Sequence, residues 1–148
     1  MKRISRSAIV ECDAVDFYAM VAAVESYPGF LPWCAAAEIH ERSPGRTVAT
    51  LTLAVKGLRY SLSTENIHVR GRSIDMRLVE GPFKRFSAAW RITPLGAGAC
   101  KAEYSMEYEF SNRIVAAVLE PVFRRIADAT VEAFTRRAMA SPGVPLAR

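Results

Sequence analysis

The sequence predicts an α+β fold in which a curved antiparallel sheet of about seven strands wraps around one long C-terminal helix. Three observations carry this expectation. Apolar and polar residues alternate with a period of two along most of residues 49 to 110, as in half-buried strands joined by short turns. The last third changes to a helical period, running from Ser111-Asn112 to about Ala140. The chain has 148 residues, 51% hydrophobic and 24% charged, enough for one domain with its own core and too apolar for disorder.

The first strand runs from Ile4 to Cys12, with Ile4, Ala8, Val10 and Cys12 on one side. Asp13 follows as an N-cap with Asp16 three residues on, an approximate capping box. Phe17, Met20, Val21 and Val24 then give an amphipathic helix of about three turns. Pro28-Gly29 and Pro32 break the stretch from Tyr27 to Cys34 into a short helical turn or loop.

A run of strands succeeds it. Ala49, Leu51, Leu53 and Val55 share one face, and Lys56-Gly57 turns the chain into Leu58, Tyr60 and Leu62. Gly71 marks the turn before Ile74, Met76 and Leu78, and Phe86, Ala88, Trp90 and Ile92 form the next dry stripe. Gly96-Ala97-Gly98 leads into Cys100, Ala102, Tyr104, Met106, Tyr108 and Phe110. Such a sheet has one wet and one dry face, and the dry face needs a cover. The terminal helix supplies it through Val122, Ile126, Ala129 and Ala133, flanked by Phe123, Ala127, Thr130 and Phe134. Pro121 is expected as the first residue of its main segment. Arg124, Arg125, Asp128, Glu132 and Arg136 flank the apolar face, with Glu132 and Arg136 as a favourable i,i+4 pair. Residues 1–140 are expected as one domain, with 141–148 as a flexible tail.

Chemistry is sparse. Cys12, Cys34 and Cys100 form no CxxC, and an odd count without a recognisable signal segment predicts reduced thiols in a cytoplasmic protein. No apolar run approaches the ~18 residues of a spanning helix. Two histidines are too few for a metal site without carboxylates, and none is predicted. His40 and His68 are expected as exposed strand residues, and Cys34 as the least buried thiol, with no base to activate it. Glu103, Glu107 and Glu109 lie on a solvated strand face. There is no GxSxG, P-loop or GxGxxG, so no catalytic residue is predicted and the chain is not expected to be an enzyme. The net charge of +5, carried by 16 Arg and 4 Lys, leaves open a polyanionic partner, an anionic membrane face, or a merely Arg-rich composition.

Small side chains on the covering helix (Ala127, Ala129, Thr130 and Ala133) allow either close packing or a cavity against the sheet. Trp33, Phe83 and Trp90 sit near turns or strand ends where a mouth could form. A cavity so lined suits an apolar ligand.

Two segments go further: Tyr27-Pro28-Gly29-Phe30-Leu31-Pro32-Trp33-Cys34, and Gly81-Pro82-Phe83-Lys84-Arg85-Phe86 with Trp90 beyond it. Together with Phe110-Ser111-Asn112 and Ala133-Phe134-Thr135-Arg136-Arg137-Ala138, they make the chain resemble the coenzyme Q-binding, START-like family of the polyketide cyclase/dehydrase-like superfamily. The resemblance covers about Ile4 to Met139 and departs at Gly29, where the family usually carries an acidic residue.

It implies a helix-grip fold holding ubiquinone or a related polyprenyl lipid between helix and sheet, supporting respiratory electron transfer as a chaperone or carrier. Ubiquinone would be a bound ligand, with no cofactor beside it. Bacterial members are alternatively described as ribosome-association toxins that bind the large ribosomal subunit and block subunit association. On the lipid reading, Trp33, Phe83, Trp90, Leu78, Tyr104, Ile126 and Thr130 would hold the tail, while Tyr60 and Lys84 would meet the quinone head. Ordinary core packing is the competing reading for all of the tail set, and the stronger one for Leu78 and Tyr104. Phe30, Leu31 and Trp33 would touch the membrane from a Pro-rich loop, placing the protein transiently at the inner face of the inner membrane. On the ribosome reading, Arg59, Arg77, Arg91, Arg124, Arg125, Arg136 and Arg137 would face RNA phosphates.

Overall fold

The structure, a computed structural model, describes residues 1–55 and 57–140. The expected Lys56-Gly57 turn falls partly, and the expected 141–148 tail wholly, outside the described residues. Strand β1 (Lys2–Val10) leads to helix α1 (Ala14–Ala22) and a 3₁₀ turn at Val24–Gly29. Six strands follow: β2 (Cys34–Ser43), β3 (Arg46–Val55), β4 (Leu58–Val69), β5 (Ser73–Glu80), β6 (Phe83–Pro94) and β7 (Cys100–Phe110). Helix α2 (Arg113–Ala140) comes last. The seven strands make one antiparallel sheet in the order β1-β7-β6-β5-β4-β3-β2. Hairpin neighbours therefore pair from β2 to β7, and β1 closes beside β7, with α1 and the 3₁₀ turn crossing from one edge to the other. This is the helix-grip, START-like architecture.

Alternation translates directly into burial. On β7 every second residue from Cys100 to Phe110 is buried, and the residues between are at least partly exposed. β6 pairs with β7 so that Trp90 lies opposite Tyr104, Ala88 opposite Met106 and Phe83 opposite Phe110. Register shifts in β2 between Cys34 and Ala36, and between Ile39 and Glu41, interrupt the edge strand, bending it and discouraging edge-to-edge pairing. Gly71 turns β4 into β5 at φ 74, where any added Cβ would also meet Val15 Cγ2 of α1 at 3.4 Å.

Helix α2 fills the concave face with Leu119, Val122, Phe123, Ile126, Ala127, Thr130, Val131, Phe134 and Ala138. Phe134 is 1% exposed. Its ring lies 5.0 Å from Phe30, 5.3 Å from Trp90, 5.4 Å from Tyr27 and 6.4 Å from Phe17, joining α1, the 3₁₀ turn, the sheet and α2 at one point.

Three local expectations are corrected. Asp13 precedes α1 but makes no side-chain cap; its Oδ1 accepts from Gly98 N at 2.6 Å, tying the helix start to the β6–β7 turn. A long-range donor has displaced the local one. The first helix ends at Ala22, and Val24 opens the 3₁₀ turn instead of a third α-helical turn. Pro121 lies inside α2, not at its start. The helix begins at Arg113, where Asn112 Oδ1 accepts from Val115 N at 2.9 Å, an N-cap bond.

Phe134→Ala is expected to lower unfolding free energy by about 3–5 kcal/mol. Urea denaturation followed by far-UV circular dichroism measures it. A loss below about 1 kcal/mol, the range of an exposed substitution, would contradict the central position given to this ring.

Candidate functional site

Between α2 and the concave sheet lies a small, partly open apolar void of about 60 Å³. Leu51, Leu53, Leu62, Met76, Phe86, Trp90, Tyr104 and Met106 come from the sheet, and Phe123, Ile126, Thr130 and Phe134 from α2. Tyr27, Leu31 and Trp33 close one side. The chain reaches inward here because Leu31 N donates to Tyr27 O at 2.9 Å, while Ala54 N donates to Trp33 O at 2.8 Å. The 3₁₀ turn thus folds the Pro-rich segment back onto β3. A drug-sized ligand needs ~300 Å³ or more, so a void of this size would have to repack to hold one. Met76 and Met106 are the side chains best suited to do so.

The polar atoms around the void are few, neutral and mostly committed. Trp33 Nε1 donates to Thr130 Oγ1 at 3.0 Å, and that hydroxyl donates to Ile126 O at 2.6 Å. Thr64 Oγ1 donates to Asn66 Oδ1 at 2.8 Å, and the Tyr27 hydroxyl donates to Val21 O. The Tyr104 hydroxyl has no hydrogen-bond partner among the described residues, and burial raises its pKa above the usual phenol range. No carboxylate or imidazole lines the void. The arrangement can bind an apolar molecule and offer it one neutral donor.

Of the residues expected at the ligand, Trp33, Trp90, Tyr104, Ile126 and Thr130 line the void. Phe83 does not. Its register opposite Phe110 places it in an aromatic cluster with Phe86, Tyr108, Phe110 and Phe123. Leu78 and Tyr60 pack half-buried against the core outside the lining, and Lys84 is exposed beside Glu109. Neither expected head-group donor therefore reaches the void. Ala127, Ala129 and Ala133 do not line it either. The expected membrane loop faces inward: Leu31 is 2% exposed, Trp33 is bonded to Thr130, and Phe30 packs on Phe134 beneath the Arg137 guanidinium, 4.5 Å from its ring centroid.

His68 is half-buried, not an exposed strand residue. Its Nδ1 lies 3.0 Å from the Tyr18 hydroxyl and its Nε2 3.1 Å from Thr47 Oγ1, joining α1 to β3. Burial, and then Arg42, hold its pKa below the usual range. Cys34 is buried, and the half-buried thiol is Cys12. Of the candidate RNA-facing arginines, Arg77 pairs with Glu65, Arg91 with Asp75 and Arg136 with Glu132. Arg59, Arg124 and Arg125 have no ion pair among the described residues. No helix among the described residues is long and apolar enough to cross a membrane.

A second concavity, an open groove of about 900 Å³, lies at the start of α2. Lys2, Lys84, Arg113, Glu109 and Glu120 rim it over Tyr108, Phe110, Ala116, Ala117 and Pro121. Tyr108 is fully buried, with its hydroxyl close to the Glu120 carboxylate. Burial, and then the nearby Glu120 carboxylate, push the phenol up to about 12. The Tyr108 ring packs at a tilt, 5.0 Å between centroids, against Phe123, which lines the inner void. One aromatic layer separates groove from void.

The polyketide cyclase / dehydrase and lipid transport family matches residues 10–135. The ribosome association toxin RatA of Escherichia coli (strain K12) is 38% identical over 138 residues, 93% of this chain and 87% of that protein. Among solved structures, the Zhui aromatase/cyclase from Streptomyces sp. R1128 superimposes with a TM-score of 0.84 at 20% identity, covering 93% of each chain. A START superfamily protein from Mycobacterium smegmatis gives 0.81 at 18% identity, over 93% of this chain and 97% of that one.

Burial pushes the Cys34 and Cys100 thiols up to about 11, from an ordinary 9.0. Between those values the folded chain holds protons that the unfolded chain has lost, so stability is expected to fall as pH rises from 9 to 11. In native protein near neutral pH, a thiol-specific reagent is expected to label Cys12 first, and the other two only on unfolding. Immediate labelling of three thiols would contradict this packing.

Proposed function

The chain belongs to the polyketide cyclase/dehydrase and lipid transport family, and from that premise we propose that it is a non-catalytic, ribosome-associated protein. It binds the large ribosomal subunit and hinders association with the small one. The observation that carries this reading is the 38% identity to a ribosome association toxin over 93% of the chain. The net charge of +5 and the unpaired Arg59, Arg124 and Arg125 supply cations for RNA phosphates. A non-catalytic role is supported by the neutral lining of the void, which holds no acid/base pair.

A second reading is favoured by a separate observation, the Tyr104 hydroxyl facing an apolar void without a partner. There the protein holds ubiquinone or a related polyprenyl lipid. Each buried methylene contributes about 0.8 kcal/mol, and Tyr104 donates to a quinone carbonyl. The site then serves to carry or sense the lipid.

Sucrose-gradient sedimentation of purified ribosomal subunits tests the first reading. Added protein is expected to move joined particles into separate subunit peaks and to co-sediment with the large one, with binding falling steeply as salt rises. An unchanged profile at excess protein overturns it. For the second, organic extraction of protein purified from its native host, with mass spectrometry, is expected to recover a quinone. Tyr104→Phe should lower occupancy up to about tenfold, one hydrogen bond's worth. Wild-type occupancy in that variant removes Tyr104 from the site.

A further inference from the structure

The outer face of α2 changes character along its length. Beyond Pro121 it carries Arg124, Arg125, Asp128, Glu132 and Arg136, all exposed. Before it, the outward residues are aliphatic: Ile114 is 78% exposed and Val118 39%, one turn apart on one face, with Ala117 exposed beside them. Isolated surface aliphatics need no explanation, but these two share one face and follow directly on Arg113, which rims the groove at this end of α2.

Lys2 and Lys84 are 58% and 62% exposed at their side chains. Each stands 3.8 Å from its acidic neighbour, Glu120 or Glu109, beyond hydrogen-bond reach and ready to exchange partners. Arg113 and Arg124 have no ion pair among the described residues. Four cations against two carboxylates leave this end of the molecule positive, and the amino terminus of α2 adds to it. Lys2, Lys84 and Arg113 rim the groove, with Tyr108 in its lining.

We propose that this end of α2 docks on an anionic phospholipid bilayer. Ile114 and Val118 enter the boundary between headgroups and acyl chains, while Lys2, Lys84, Arg113 and Arg124 face lipid phosphates. The combination selects a bilayer over RNA. Cations serve both, but exposed aliphatic side chains gain nothing from a phosphate backbone and offer no ring for a base to stack on. The surface differs from the Phe30–Trp33 segment, which is turned into the core, and the inference does not rest on the ribosome reading.

Flotation with vesicles tests it. The full chain is expected to float with vesicles of mixed phosphatidylcholine and phosphatidylglycerol, and not with phosphatidylcholine alone. The Ile114→Ser/Val118→Ser variant changes only exposed positions and should keep the wild-type Tm. Its vesicle partitioning should fall by about tenfold or more, with ribosomal sedimentation unchanged. Lys84→Glu/Arg113→Glu should also lose flotation. Absence of flotation overturns the proposal, as does wild-type flotation of the serine variant. A concentration-dependent dimer abolished by the serine variant would assign the surface to a second copy and overturn it too. Loss of ribosome binding in the charge variant, with flotation of both variants intact, would assign the cations to RNA.

Discussion

A sheet with one apolar face must be covered, and here a single helix does it. At about 1.5 Å per residue, the 28 residues of α2 span roughly 42 Å, long enough to run the length of the concave face. Every other contact is arranged around that span. The 3₁₀ turn brings Tyr27 and Phe30 to Phe134, α1 brings Phe17, and Trp33 reaches Thr130 through a hydrogen bond. The helix is thereby held by the same segments that wall the void. The void and the seat of the helix therefore share the same side chains.

That coupling bears on how a START-like fold can serve different roles. The neighbours of solved structure include an aromatase/cyclase, and at 20% identity the likeness is one of fold. In this chain the lining is almost wholly apolar and its hydroxyls are bonded internally, except for Tyr104. The exterior carries the charge. The two proposed roles divide between an interior able to take a greasy molecule and a surface able to meet a large anionic one, and the helix belongs to both.

Much of the fold was legible because period-two patterning and a sheet with one dry face are the same fact seen in one and three dimensions. The α2 face was legible for a similar reason: Val122, Phe123, Ile126 and Phe134 recur at helical spacing. The site was less so. Which part of two apolar faces fails to meet depends on register and bend, which no local pattern encodes. Phe83 stands at a strand end like a mouth residue, yet its pairing with Phe110 puts it in the aromatic layer. Leu31 lies between Phe30 and Pro32 like a surface loop, but the 3₁₀ turn carries it into the core. On β4, Thr64, Asn66 and the half-buried His68 point inward despite their chemistry, and only the continuing alternation from Leu62 signals it. Lys84 lies on β6 as the alternation implies, but at the outer groove instead of the inner void.

Pro121 has a consequence for how the molecule comes apart. It offers no N–H to the Ala117 carbonyl and crowds it, so the hydrogen-bond ladder of α2 is interrupted one turn into its burial. Upstream, Leu119 is the single fully buried side chain of the helix, whereas the turns downstream hold the aromatic core. With so much less buried, the upstream stretch is the cheaper to melt. Its Ala116, Ala117 and Glu120 share a groove lining with Tyr108, whereas Phe123 and Phe134 belong to the buried stretch. The helix that walls the void is therefore least anchored on the side where one ring layer divides inside from outside.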